Sequence, residues 1–171
     1  MTTTAPAGDP ESGVTVREAE RADLLAVFHI EQEAFPQPWP FSAFERFLDE
    51  PGFLVAQATD ESPREAATVG DDGRVVGYLV ADTVPNHGEA LGHVKDIAVA
   101  PECRGAGVGK QLLGEALRTL AGEGAASVKL EVRRSNDAAR SLYEDFRFEH
   151  RNTVPRYYDN GEDALVMVRD F

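Results

Sequence analysis

The feature that most constrains the fold is a glycine-rich segment between a strand-like stretch and a long helical one. The segment reads Arg104–Gly105–Ala106–Gly107–Val108–Gly109. Residues 91–99 before it are rich in apolar side chains, and apolar residues recur at helical spacing from Val108 to Leu120. Glycine lets the backbone approach a ligand closely, and successive N–H groups at a helix start can hold phosphate oxygens. The segment therefore indicates a strand–loop–helix unit with a possible phosphate site.

Two better-known phosphate loops do not match this segment. A nucleotide P-loop needs Gly-Lys followed by Ser or Thr, whereas Lys110 is followed here by Gln111. The dinucleotide fingerprint needs glycines spaced by two and then three residues, and the glycines here are spaced by two throughout. Taken alone, the segment is as consistent with a tight turn as with a ligand site.

Periodicity along the rest of the chain predicts the other elements. Strands are expected at residues 14–17, 53–58, 74–84, 91–99, 127–133, 148–154 and 164–168. Helices are expected at residues 24–34, after a Ser42 cap, at 108–120 and from an Asn136 cap to 146. Prolines at 36, 38 and 40 must end the first helix, residues 59–73 form an unusually long hairpin connection, and residues 85–89 form a turn. This order of about seven strands and about four helices predicts an α/β or α+β sheet with helices on both faces.

The length of 171 residues fits one domain, predicted to span residues 14–171. Residues 1–13 are rich in Thr, Ala, Pro and Gly and are expected to be a disordered lead-in. They have neither the basic residues nor the apolar run of a signal peptide. No stretch approaches the roughly 18 apolar residues that span a bilayer. A cytoplasmic protein is therefore expected.

The net charge of −13 comes from thirty acidic residues facing seventeen basic ones, of which three are lysines. Nucleic acids and anionic membranes attract basic surfaces, so neither is an expected partner. Because the acidic excess is spread over the whole chain, adaptation to a salty cytoplasm explains it better than a dedicated cationic partner, although both stay open. Cys103 is the only cysteine and the four histidines lack ligand spacing, so neither a disulfide nor a metal is expected.

One run before the glycine segment and several shorter matches after it accompany that segment. The first is His93–Val94–Lys95–Asp96–Ile97–Ala98–Val99–Ala100–Pro101, and the later matches are Leu130–Glu131–Val132–Arg133, Ser135–Asn136, Ala139, Leu142–Tyr143–Glu144, Phe146, Phe148, Tyr157–Tyr158 and Glu162–Asp163–Ala164. Together they resemble the GNAT superfamily of N-acetyltransferases, and within it the ribosomal-protein-alanine and archaeal N-terminal acetyltransferase group. The resemblance covers most of the chain from Val14 onward, and it implies the GNAT fold, in which a central mixed, mostly antiparallel sheet of about seven strands has about four helices on both faces.

The resemblance implies acetyl-CoA as co-substrate. In the family, strand backbone corresponding to 97–99 binds the pantetheine arm and acetyl carbonyl, and loop amides corresponding to 105–110 hold the pyrophosphate. The implied cofactor-binding set is Ile97, Ala98, Val99, Arg104, Gly105, Ala106, Gly107, Val108, Gly109, Lys110, Asn136 and Tyr143. The small Gly105–Ala106 pair stands where the family usually has a large basic residue, which leaves out a side-chain contact to phosphate. Asn136 could equally be only a helix cap.

The resemblance also implies the catalytic groups. Glu131 matches the family's general base, Tyr143 its general acid, and His93 a histidine that assists as a base through water in some archaeal members. The residues themselves allow plainer interpretations. Glu131 could be a solvated strand residue or a partner of Lys129 or Arg133, Tyr143 a core residue with a satisfied hydroxyl, and His93 a surface or hydrogen-bonded histidine.

The substrate side is implied by two groups of aromatic residues. Phe35 and Trp39 match the family's loop at the peptide entrance, and Tyr157 and Tyr158 match residues that bind the incoming backbone. Each could instead be a packing residue. Gln37 stands where some archaeal relatives carry Glu, so a catalytic role at that position is in doubt.

The chemistry of the amine favours a protein N-terminus as substrate. Deprotonating an α-amine of pKa about 7.8 costs about 1 kcal/mol at pH 7, whereas a lysine of pKa about 10.4 costs nearly 5. The expected substrates are a ribosomal protein or nascent chains. The protein itself is expected to be a monomer or weak dimer. The alternatives are acetylation of a small amine or lysine side chain, and a non-catalytic acyl-CoA-binding regulatory module.

Overall fold

A computed structural model describes residues 13–58 and 74–171. The strands are β1 (Val14–Glu18), β2 (Phe53–Ala58), β3 (Val75–Asn86), β4 (Glu89–Val99), β5 (Ala125–Arg133), β6 (Glu149–Val154) and β7 (Ala164–Asp170). The helices are α1 (Leu24–Ala34), α2 (Phe41–Phe47), α3 (Val108–Gly122) and α4 (Asp137–Asp145), with short 3₁₀ turns at Arg21–Asp23 and Pro101–Cys103. The strands form one sheet in the order β1-β2-β3-β4-β5-β7-β6. Among the strands of the described residues, only β4 and β5 pair in parallel, so the expected mixed, mostly antiparallel sheet is confirmed.

A separate apolar cluster covers each face of the sheet, because strand side chains alternate between the two faces. On one face the apolar side of α3 packs on alternate residues of β5, including Val128 and Leu130. On the other face α1 and α2 pack on β2 and β3 around Phe44 and Tyr78. Full burial of each large apolar side chain contributes about 1.5–3 kcal/mol. The predicted placement of helices on both faces is confirmed.

Helix α2 begins two residues earlier than a Ser42 cap predicts, and Ser42 does not cap it. Pro40 occupies the N-cap position in an extended conformation, and its carbonyl accepts a hydrogen bond from the Ala43 N–H at 2.9 Å. Proline suits this position because it has no N–H to leave unpaired and its φ is already fixed. The predicted Ser42 cap was therefore wrong.

The β3–β4 connection is also tighter than the expected turn over residues 85–89. Strand β3 continues to Asn86 and only His87 and Gly88 turn, both with positive φ (49° and 85°). Two such residues form the hairpin turn that matches strand twist. Pro85 is tolerated inside β3 because β2 pairs with β3 only from Val75 to Val80.

Strands β4 and β5 separate part-way along their length. Their parallel pairing ends at Val94 and Leu130, although β4 continues to Val99 and β5 to Arg133. Just beyond that point the β3–β4 register shifts, and Lys95 is an extra residue in β4. A bulge of this kind bends its strand. The two strands therefore diverge and open a cleft between them. Helix α3 begins at the edge of this cleft.

Three expectations are not tested by these elements. The disordered lead-in was expected over residues 1–13, of which residues 1–12 lie outside the described residues, as does the long connection over residues 59–73. The single domain over residues 14–171 stays a prediction. Among the described residues, no helix is both long enough and apolar enough to cross a lipid bilayer.

Candidate active site

The opening between β4 and β5 leads into a cleft of about 640 Å³. Most of the residues expected at the site line it: Phe35, Trp39, Ile97, Ala98, Val99, Arg104, Gly105, Gly107, Val108, Gly109, Glu131, Asn136, Tyr143 and Tyr158. The lining does not include Ala106, Lys110, His93 or Tyr157. The structure thus brings together residues that are far apart in the sequence.

The glycine segment places the N-terminus of α3 at the cleft. Gly107 is the N-cap residue with φ 83°, and Gly105 has φ 81°. A Cβ at either position would meet nothing within 4 Å, so backbone conformation rather than crowding demands glycine there. The first amides of a helix lack intrahelical acceptors and carry a partial positive charge. This end of the cleft can therefore hold an anionic group.

The basic side chains beside this loop are turned toward other partners. Arg104 donates its Nε–H to the Val99 carbonyl at 3.2 Å and so fastens the loop to the end of β4. Lys110 lies 4.0 Å from Asp145 on α4. Backbone amides, more than side-chain charges, shape this end of the cleft.

Glu131 on β5 is held by His93 on the neighbouring strand β4. The His93 Nε2 lies 2.7 Å from Glu131 Oε2, and Lys129 Nζ lies 3.7 Å from Glu131 Oε1. The hydrogen bond from His93 lowers the pKa of Glu131 against the opposing effect of partial burial, and Lys129 lowers it further. Glu131 is thus an ionised carboxylate at the cleft wall, and His93 reaches the cleft only through it.

Tyr143 faces the cleft from α4. Its side chain is buried and lies against Phe148, with ring centroids 6.0 Å apart. Burial raises the pKa of Tyr143 well above its ordinary value, and Asp96 and Tyr158 raise it further. The phenol therefore stays protonated and can donate a hydrogen bond into the cleft.

Asn136 is the N-cap of α4 and also lines the cleft. Its side-chain oxygen accepts the Ala139 N–H at 3.2 Å, as the capping interpretation requires. The amide NH₂ carries two further donors. The side chain can therefore cap the helix and contact a ligand at once.

Aromatic residues form the remaining walls. Trp39 stacks on Phe47 with ring centroids 5.9 Å apart, which fixes the connection between α1 and α2. Across the cleft, the Arg133 guanidinium lies 3.9 Å from the centroid of Tyr158. Burial, more than any charge, raises the pKa of Tyr158 to about 12. Tyr157 is 53% exposed, so its place is outside the cleft.

The Acetyltransferase (GNAT) family model matches residues 24–148. The chain belongs to the GNAT acetyltransferase family. This region contains the glycine segment, both diverging strands and the helix that carries Tyr143.

Relatives within the GNAT family extend over nearly the whole chain. An uncharacterized N-acetyltransferase of Methanocaldococcus jannaschii is 35% identical over 161 residues, covering 90% of each chain. The N-alpha-acetyltransferase of Sulfolobus acidocaldarius is 33% identical over 164 residues, again covering 90% of each. The ribosomal protein bS18-alanine N-acetyltransferase of Escherichia coli is 31% identical over 162 residues, which are 90% of this chain and 95% of that enzyme.

Solved structures show the same GNAT architecture. The structure of the ribosomal-protein-S18-alanine N-acetyltransferase from Escherichia coli matches with a TM-score of 0.72 and 30% identity, covering 92% of this chain and 93% of that one. Arabidopsis thaliana NAA60 in complex with acetyl-CoA matches with a TM-score of 0.78 at 19% identity, covering 92% and 99%. The second likeness is one of fold.

Sequence reasoning missed a buried acidic group that this GNAT chain places at the cleft. Tyr78 donates a short hydrogen bond to Glu31 Oε2, and its hydroxyl lies 3.2 Å from Asp96 Oδ2. Both carboxyls line the cleft. One signal was available: Glu31 stands one helical turn after Val27 on the apolar side of α1, where a charge requires a partner. Within residues 13–58 and 74–171, no group of three or more His, Cys, Asp or Glu side chains could hold a metal ion.

Proposed function

We propose that this chain transfers the acetyl group of acetyl-CoA to the N-terminal α-amino group of a protein. The observation that carries the proposal is the convergence of an ionised Glu131, a protonated Tyr143 and the α3 N-terminus on one cleft. The names of the Sulfolobus acidocaldarius and Escherichia coli relatives support an N-terminal substrate, a ribosomal protein in the second case.

The cofactor would lie along β4 with its phosphates at the start of α3. The amides of residues 105–110 would hold the pyrophosphate, because the helix start offers unpaired donors and a favourable dipole. Beyond Val94, β4 no longer pairs with β5, so the edge at residues 97–99 can bind the pantetheine amides and the acetyl carbonyl. Asn136 would add a side-chain contact from the opposite wall.

The reaction proceeds by direct attack of the amine on the thioester. Glu131 takes a proton from the α-ammonium group, directly or through water, which frees the nitrogen lone pair. The nitrogen attacks the acetyl carbonyl carbon, the C–N bond forms, and the nitrogen then loses its second proton to water. Collapse of the tetrahedral intermediate breaks the C–S bond. Tyr143 gives its proton to the departing thiolate, so the products are the acetylated N-terminus and free CoA. The proton on Glu131 then returns to Tyr143 through solvent.

His93 acts on this reaction as a positioning residue. Its 2.7 Å contact fixes the Glu131 carboxylate, and the lowered pKa keeps that carboxylate ionised. A carboxylate base is adequate for an α-amine, whose deprotonation costs about 1 kcal/mol at pH 7, and poorly matched to a lysine at nearly 5. This difference supports the N-terminal substrate.

The test uses pairs of peptides incubated with acetyl-CoA and analysed by mass spectrometry. One peptide has a free N-terminus and an internal lysine, and its partner has the same sequence with a blocked N-terminus. We expect acetylation at the free N-terminus only. Acetylation at lysine alone would overturn the N-terminal assignment, and binding of acetyl-CoA without any transfer would identify a binding module.

The mechanism is tested with variants of both catalytic residues. Glu131→Gln and Tyr143→Phe together are expected to abolish measurable turnover while acetyl-CoA still binds. The matched control is Glu115→Gln, because Glu115 pairs with Arg118 on α3 away from the cleft. Turnover of the double variant at the control's rate would refute these roles.

A further inference from the structure

We propose that Glu31, Tyr78 and Asp96 form a positioning network that holds the substrate-side loop (residues 35–40) in place. The network releases this loop when Asp96 loses its proton. The three residues lie on α1, β3 and β4. The proposal rests on the proposed function in one respect: the loop is taken to line the path of the peptide.

The geometry connects the loop to the sheet through buried hydrogen bonds. Glu31 uses its oxygens separately: Oε1 accepts the Trp39 backbone N–H at 3.0 Å, and Oε2 accepts the Tyr78 hydroxyl. The Tyr78 hydroxyl is also 3.2 Å from Asp96, which flanks the bulge where β4 leaves β5. Glu31 is 2% exposed and Tyr78 0%, so water does not substitute for these bonds. The position of Trp39 is thereby tied to the acetyl-binding part of β4.

The network requires a shared proton. A phenol has one proton, and two carboxylates so close together in a buried site cannot both be ionised. Burial, and then the neighbouring Glu31, raise the pKa of Asp96 to about 9. Asp96 is therefore the protonated member near neutral pH, and the network carries one negative charge.

The surrounding charged groups do not neutralise a second negative charge. Lys95, the next residue on β4, directs its Nζ toward Asp82 of β3 at 3.5 Å and over the Phe47 ring at 5.6 Å. From α4, Tyr143 faces Asp96 as a neutral phenol. The Ile97 backbone N–H gives Asp96 a hydrogen bond that opposes its raised pKa only in part. Ionisation of Asp96 therefore sets two like charges against each other beneath the loop.

The fluorescence of Trp39 reports on the exposure of the substrate-side loop, because Trp39 lies in that loop and is the single tryptophan of the chain. Quenching of Trp39 fluorescence by acrylamide is measured between about pH 7 and pH 10, a range that spans the Asp96 pKa of about 9. The proteins are the wild type, Asp96→Asn, Glu31→Gln and the control Glu115→Gln. Circular dichroism at each pH establishes that each remains folded.

We expect quenching of the wild type and the control to rise with a midpoint near pH 9. Asp96→Asn removes this transition, because asparagine keeps the size of the side chain and does not titrate. Glu31→Gln moves the midpoint to lower pH, because Glu31 raises the Asp96 pKa. The peptide KM of the wild type, relative to that of Asp96→Asn, rises about fivefold across the transition, equivalent to one lost hydrogen bond. When the wild type is compared with Asp96→Asn in the same way, kcat and the KM for acetyl-CoA change little across the transition.

Failure of this proposal is distinct from failure of the proposed function, because the fluorescence needs no substrate. A flat wild-type quenching profile, or a transition that survives in Asp96→Asn, would overturn the network even if peptides are acetylated. A transition that Asp96→Asn removes, in a protein that acetylates no peptide, would uphold the network and overturn the proposed substrate.

Discussion

Replacement of His93 by alanine separates two roles that the structure allows for this residue. If His93 positions Glu131, the variant keeps its base and loses only the 2.7 Å hydrogen bond that directs it. A hydrogen bond to a charged group contributes about 1.5–3 kcal/mol. Both side chains are about one-fifth exposed (20% and 18%), so water replaces part of the lost contact. We therefore expect kcat to fall about tenfold, because about 1.4 kcal/mol corresponds to that factor.

Glu131→Gln should be far more damaging than His93→Ala. Loss of a general base lowers rates by about 10²–10⁴. If the two residues act as one unit, the double variant should be no slower than Glu131→Gln alone. His93→Gln, which keeps a side-chain N–H, should recover much of the tenfold loss.

The pH profile decides between the two roles. His93 lowers the Glu131 pKa, so its removal returns that pKa toward the ordinary value and moves any Glu131-dependent loss of kcat/KM to higher pH, still in the acid range. A histidine acting as the base would instead give a break that is lost when the histidine is replaced. Steady-state rates with saturating acetyl-CoA, measured from acid to neutral pH, provide the profile. A break that disappears in His93→Ala, with a rate loss as large as that of Glu131→Gln, would refute the positioning role.

Four further substitutions have defined outcomes. The raised Asp96 pKa means that the folded state binds this proton more tightly than the unfolded chain, so wild-type stability falls as pH rises from about 4 to about 9. Asp96→Asn avoids this loss. It should be about 2 kcal/mol more stable than wild type near pH 8 in urea unfolding. Gly52→Ala should lower the free energy of unfolding by about 3 kcal/mol or prevent folding, because its Cβ would lie 2.2 Å from the Ala81 carbonyl oxygen. Gly114→Ala on α3 is the control. The nearest contact of its Cβ would be at 3.6 Å, so it should be neutral or stabilising in thermal unfolding. Gly107→Ala should weaken acetyl-CoA binding in calorimetry without changing the peptide KM, because φ 83° strains any side chain at the start of α3; an unchanged affinity would contradict the phosphate role.

Much of the fold could be predicted because its information is local. Helix α3 has a long apolar repeat, and β5 alternates cleanly between buried and partly exposed residues. The errors fell where a backbone effect outweighed a side-chain preference. Pro40, rather than Ser42, occupies the N-cap position of α2, and the positive φ angles of His87 and Gly88 allow a turn of only two residues after β3.

The site was predictable only in part. Many of the residues that line the cleft could be named from their motifs, although Glu31 and Asp96 were not among them. The convergence of these residues depends on the divergence of β4 from β5. That divergence follows from one extra residue, Lys95, in the β3–β4 register, and no local pattern marks it. The buried network is harder still. Glu31 could be recognised as a charge on an apolar helix side, yet its partner Tyr78 lies 47 residues away.

The charges of the cleft bear on how an acidic protein can use a phosphate-bearing co-substrate. The net charge of −13 repels anions at long range. At one end of the cleft, however, the ligand would meet the amides at the start of α3, whereas the other walls carry the ionised Glu131 and the Glu31–Asp96 pair with its single negative charge. An anionic co-substrate and a cationic amine would therefore each meet groups of opposite charge. If the acidity reflects a salty cytoplasm, screening lengths of about 3 Å at 1 M salt remove the long-range repulsion, and contacts inside the cleft alone decide binding. The acidic surface and the anion-binding helix start are then compatible because they act over different distances.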